Sequence, residues 1–116
     1  MVLGVATVYT LALQPLYCGG IFSTHNTPWL AVDVSQYTTH SIHCGDTMLL
    51  TTPHGSLIAQ ALDAGYLHNY HVDQWGDHPI VADVPAHLSP FPGLSCPATL
   101  LNLSAIERRT SNGIRP

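Results

Sequence analysis

Apolar and polar residues alternate along most of this chain with a period of two, in runs too short for long helices. Residues 5–13 alternate and are rich in β-branched and aromatic side chains, which predicts a strand. Residues 29–34 read as a short buried strand. Residues 47–52 and 56–62 flank the tight turn Pro53-His54-Gly55 and form the clearest hairpin in the chain. Residues 80–82 give one more short strand. The only helical spacing lies in 98–108, through Leu100, Leu101, Leu103 and Ile106. Between these elements, 14–28 is a loop holding Cys18-Gly19-Gly20, and 35–43 is polar and leads into a turn at Cys44-Gly45-Asp46. Residues 64–79 form a polar excursion rich in aromatics and histidine. Four prolines in 85–97 predict irregular chain, and Ser111-Asn112-Gly113 predicts a turn into a last strand from Ile114. Short strands, many turns and one small late helix predict an all-β fold. A small closed barrel, which leaves no open sheet edge, is the favoured form, and a β-sandwich is the plainer alternative.

Composition sharpens this picture. A chain of 116 residues that is 46% hydrophobic has room for one domain, 1–116, with a true core. The three basic residues, Arg108, Arg109 and Arg115, all lie near the C-terminus and there is no lysine, so no basic face can be built and nucleic-acid binding is excluded. No apolar run approaches the roughly 18 residues of a membrane span. The apolar start lacks a positive n-region and is interrupted at Thr7-Val8-Tyr9-Thr10, so it reads as strand rather than as a signal segment. Cys18, Cys44 and Cys96 allow one disulfide and one free thiol, and their spacing does not say which. There is no CxxC, His43-Cys44 would point to opposite sides of a strand, and His68, His71 and His78 lack ligand spacing. No metal site and no cofactor are expected.

Candidate chemistry rests on three aspartates in apolar runs: Asp33 in WLAVDVS, Asp63 in IAQALDAG and Asp83 in PIVADVPAH. Charged residues make up only 9% of the chain, and a carboxylate leaving water costs several kcal/mol unless it is paired, hydrogen-bonded or protonated. Each Asp alone could end a strand and cap the turn that follows. Three together point to a site.

The order of motifs adds a resemblance. Gly4-Val5-Ala6-Thr7-Val8-Tyr9-Thr10, Trp29-Leu30-Ala31-Val32-Asp33-Val34-Ser35, His43-Cys44-Gly45-Asp46-Thr47-Met48-Leu49-Leu50, Ile58-Ala59-Gln60-Ala61-Leu62-Asp63-Ala64-Gly65 and Ile80-Val81-Ala82-Asp83-Val84-Pro85-Ala86-His87 follow one another along the chain. This series resembles the three-aspartate (3D) domain, a relative of membrane-bound lytic transglycosylase A and of rare lipoprotein A-like proteins. The resemblance implies a six-stranded double-psi β-barrel with an open groove. It also implies cleavage of the glycan strand of peptidoglycan. Residue by residue, it makes Asp83 the catalytic acid, with Asp63 and Asp33 as its partner carboxylates. It places Thr7 and Tyr9 on the strand lining the groove, and Gly65 on the glycine that follows Asp63. Tyr66, Tyr70, Trp75 and Trp29 are aromatic candidates for stacking on sugar rings, with Trp29 the one expected in the core. The chain departs from the family at Val34, at His43-Cys44, at Ala64, at Val84-Pro85 and in the longer segment 66–79, which replaces a substrate-contacting loop.

Two further readings use the same barrel. One is a non-catalytic component of a phage particle, tail or capsid, whose groove docks a neighbouring virion subunit; a chain starting at Met1 without an export signal suits it. The other is a sugar-binding barrel without chemistry, as in expansin-like proteins. All three place the protein outside the cytoplasm at work, cell-wall-facing or virion-associated.

Overall fold

The computed structural model describes residues 2–10, 15–19, 28–69 and 79–113. Six strands follow one another as β1 (Val2–Tyr9), β2 (Trp29–Asp33), β3 (Thr47–Thr52), β4 (Gly55–Gly65), β5 (Ile80–Pro85) and β6 (Ser95–Asn102). They close into a barrel in the order β1-β5-β2-β4-β3-β6, with β1 paired to β6. The β1/β5 and β2/β4 pairs are parallel and the rest antiparallel, so each parallel pair joins strands that are not consecutive in the chain. This is the mainly β, double-psi barrel expected. β3 and β4 form the expected hairpin, with Thr52 opposite Gly55 across a two-residue turn.

The core follows from the period of two. Along β6, Cys96, Ala98 and Leu100 are buried, and so are Met48 and Leu50 of β3. Leu30, Val32, Ala82 and Val84 are fully enclosed. Trp29 is buried too, in the core as expected, edge-on to Tyr9 at 6.0 Å between ring centroids.

Four sequence expectations need correction. The leucine spacing over 98–108 splits between two elements, because residues up to Asn102 continue β6 and the helix α2 spans Leu103–Gly113. Pairing with β1 and β3 on either side outweighs the local helical pattern there. Ser111-Asn112-Gly113 belongs to α2 rather than to a turn; the strand expected from Ile114 lies outside the described residues. Pro97 sits within β6 despite its missing N–H, since β3 pairs only from Thr99 onward and leaves that side unbridged. A second short helix, α1 (Val34–Thr38), occupies part of the polar 35–43 segment.

The cysteines resolve as a Cys18–Cys44 disulfide and a buried free Cys96. The Arg108 guanidinium forms a bidentate pair with Asp46, at 2.8 and 3.1 Å. Among the described residues, no helix is long and apolar enough to cross a membrane.

Candidate functional site

One transverse rung of the barrel gathers the chemistry. In register, Ser95 of β6 lies opposite Thr7 of β1, Thr7 opposite Asp83 of β5, and Asp83 opposite Ala31 of β2. Ala31 in turn lies opposite Asp63 of β4. Asp83 and Asp63 therefore flank the same small residue, their Cα atoms roughly two strand spacings, or about 10 Å, apart. Ala31 is 3% exposed and its methyl leaves space for carboxylates on both sides. The Ala31–Asp83 contact is the only β2/β5 rung among the described residues, and next to it both parallel pairs shift register, between Val5 and Ala6 and between Leu30 and Ala31. Such irregularities re-aim side chains at functional positions.

Asp83 is half-buried, and its Oδ1 accepts the Thr7 hydroxyl at 2.9 Å. Burial raises its pKa above the usual carboxylate range and the Asp63 charge adds to the rise, against the Thr7 hydrogen bond. Among the described residues, no donor reaches its Oδ2. Asp63 is committed on both oxygens: Oδ2 accepts the Tyr9 hydroxyl at 3.0 Å and Oδ1 the Tyr17 N–H at 3.1 Å. The Tyr37 hydroxyl donates to the Asp63 carbonyl at 2.9 Å. Burial first, and then the Asp63 charge, push the Tyr9 and Tyr37 phenols far up, so both remain protonated donors. Asp63 and Asp83 face a pocket of about 410 Å³ whose walls include Tyr9, Tyr17 and Gly65.

Asp33 sits elsewhere. It ends β2 and caps α1, accepting the Ser35 N–H at 3.2 Å together with a short contact from the Ser35 hydroxyl. Its other oxygen takes the His68 N–H at 3.1 Å and the His68 Nδ1 at 2.8 Å. Burial would raise its pKa, but these hydrogen bonds outweigh burial and hold it at about 2. It lines a second pocket, of about 350 Å³, with Ser35 and His68. Asp33 is not among the groups that shift Asp83.

The structure thus brings Thr7, Tyr9, Asp63, Gly65 and Asp83 together and sets Asp33 apart. Tyr66 is 64% exposed, its ring edge-on to His68 at 6.3 Å and outside the pocket wall. Trp75 and Tyr70 lie outside the described residues, as do His71 and His78. Sequence reasoning missed Tyr17 and Tyr37. Tyr17 directly precedes a cysteine, and the disulfide partner that would have pointed to it cannot be read from spacing. Among the described residues, no group of three or more potential metal ligands comes together.

In sequence, no family model matches the chain and no curated protein matches it. Solved structures show the fold. The barrel is similar to an aspartate-to-asparagine mutant of an expansin from Clavibacter michiganensis, crystallised in complex with cellohexaose, at a TM-score of 0.61 and 19% identity over 88% of this chain. The apo form of the same expansin matches at a TM-score of 0.59 and 21% identity, again over 88% of this chain. The chain spans 50% of the length of each.

Proposed function

We propose that this barrel binds a polysaccharide strand across the Asp63–Asp83 pocket and cleaves it by lytic transglycosylase chemistry, with the glycan of peptidoglycan as substrate. The observation that carries the reading is the inequality of the carboxylates. Asp83 is held towards its protonated form and, among the described residues, has one oxygen without a donor, while Asp63, Asp33 and Asp46 are each engaged on both oxygens. One available acid is what this reaction needs. A hydrolase needs a second free carboxylate to activate water or to attack carbon.

In the proposed reaction, Asp83 Oδ2–H protonates the glycosidic oxygen as the C1–O bond breaks. The Asp83 carboxylate, steadied by the Thr7 hydroxyl, then takes the proton from the sugar's own 6-hydroxyl. That oxygen closes onto C1 and forms the 1,6-anhydro ring. No water is consumed and Asp83 ends protonated, ready for the next cycle. The Asp63 carboxylate, fixed by Tyr9 and Tyr17, faces the positive charge that develops at C1. Asp33 stays outside this assignment, because Ser35 and His68 occupy its carboxylate.

The test is mass spectrometry of purified peptidoglycan after incubation with the protein and with Asp83→Asn. Anhydro-muropeptides from the parent and a loss of at least about 10³-fold in the variant are expected; equal product from both would overturn the assignment. A second reading, a barrel that binds a β-1,4-glycan without cutting it, draws on the expansin neighbour held with cellohexaose. Binding with no product from either protein would select it. Binding to no glycan at all would turn attention to a protein partner in the groove, such as a neighbouring virion subunit.

A further inference from the structure

Tyr17 is the aromatic that the sequence did not single out, and it is held more firmly than its exposure requires. It is 51% exposed, and it forms part of the pocket wall with Asp63 and Asp83. Its backbone N–H is on Asp63, and its ring stacks on Tyr37 at 4.8 Å between centroids and 25° between planes. Tyr37 is itself tied to the Asp63 carbonyl. On either side of Tyr17, Leu16 is buried and the Cys18 N–H donates to the Leu62 carbonyl at 2.9 Å. The disulfide then links Cys18 to Cys44. Stacking on Tyr37 uses one face of the ring, about half of the residue stays open to solvent, and among the described residues no second ring stacks on it. A rigid aromatic half open to solvent, at the wall of a pocket with a carboxylic acid, presents an apolar face to the C–H side of a pyranose at little entropic cost.

We infer that Tyr17 is the sugar-stacking residue of this groove, and that the Cys18–Cys44 disulfide is the clamp that holds it there. The inference rests on the glycan reading above and names the residue that would give that site its affinity. Tyr66, although more exposed, stands outside the pocket wall and does not take this role.

The experiment measures binding of chitohexaose, cellohexaose and insoluble peptidoglycan in the Asp83→Asn background, so that turnover does not deplete the ligand. Tyr17→Ala is expected to weaken binding of the bound glycan by about tenfold, while Tyr17→Phe and Tyr17→Trp stay within about twofold. Tyr17→Leu still covers Tyr37 but offers no aromatic face; it should fold, with an unchanged thermal midpoint, and lose affinity like the Ala variant. Cys18→Ala with Cys44→Ala should weaken binding when Tyr17 is present and add little on top of Tyr17→Ala, because the two changes remove one device. Parent-like binding by Tyr17→Leu would overturn the inference and leave the glycan reading standing. Absence of glycan binding by the Asp83→Asn host and by the parent protein would remove both.

Discussion

Four aspartates with the same side chain do opposite things here, because their surroundings differ. Asp33 and Asp46 each collect several donors, which overcome the cost of burial and hold both pKa values at about 2. Asp83 has one donor among the described residues and a carboxylate neighbour, and its pKa is raised. The consequences for stability have opposite signs. Asp33 and Asp46 bind fewer protons folded than unfolded, so their contribution is present above the usual carboxylate pKa and is lost as pH falls towards about 2. Asp83 binds more protons folded than unfolded, so stability declines as pH rises through its raised value. Stability should therefore peak in the mildly acidic range. Asp83→Asn removes the cost of an ionised buried carboxylate. It is expected to raise the thermal midpoint by a few degrees at pH 7, and the gain should vanish below about pH 4, where Asp83 is protonated in both states. Calorimetry at the two pH values checks this. A lower midpoint for the variant at pH 7 would mean that Asp83 serves the fold rather than a reaction.

At the scale of elements, the β1/β5 pair aims Thr7 at Asp83, and Gly4 sets how closely it can form. A Cβ on Gly4 would lie 2.2 Å from the Pro79 carbonyl oxygen and 2.8 Å from Val81 Cγ1. That carbonyl also accepts the Val5 N–H at 2.9 Å, so it cannot retreat without breaking a rung. Gly4→Ala is expected to cost about 2–3 kcal/mol in urea unfolding, as overpacking does in a close-packed interior. An unchanged midpoint would show that β1 and β5 can part without loss. The same pair shows the limit of local reading. Residues 5–9 and 80–82 lie in strands as expected, the rest of the 5–13 expectation running past the end of β1 and, from residue 11, outside the described residues, but nothing local says that the two strands run parallel and adjacent.

Across the whole molecule, one cluster around the buried Asp46 joins the C-terminal helix to the barrel, with the Arg108 side chain partly exposed. Asp46 is 5% exposed and accepts Arg108 twice, the Asn102 amide and the His43 N–H. Asn102 also accepts the Ala105 N–H, and Ser104 accepts the Thr47 N–H, so the entry to α2 and the start of β3 are stitched together. Asp46→Ala would leave these donors without their acceptor. It is expected to cost about 2–3 kcal/mol by denaturant titration, within the range for charged hydrogen bonds. A change below about 0.5 kcal/mol would place the cluster among surface ion pairs of little worth.

The residues themselves determined β1 to β5, though not β6, together with the Pro53-His54-Gly55 hairpin, the lack of a basic face and the choice of Asp63 and Asp83 as candidates. All of these follow from short-range alternation, turn chemistry and composition. Only the tertiary structure decided that Asp63 and Asp83 share a pocket while Asp33 caps a helix. It also decided that Cys18 pairs with Cys44, that Arg108 belongs to Asp46 and that Tyr17 stands at the wall of the site. Those facts depend on strand order and register, which bring together residues as far apart as Thr7 and Asp83, 76 positions along the chain. Periodicity reports which face of an element is buried, but it carries no information about which element lies opposite.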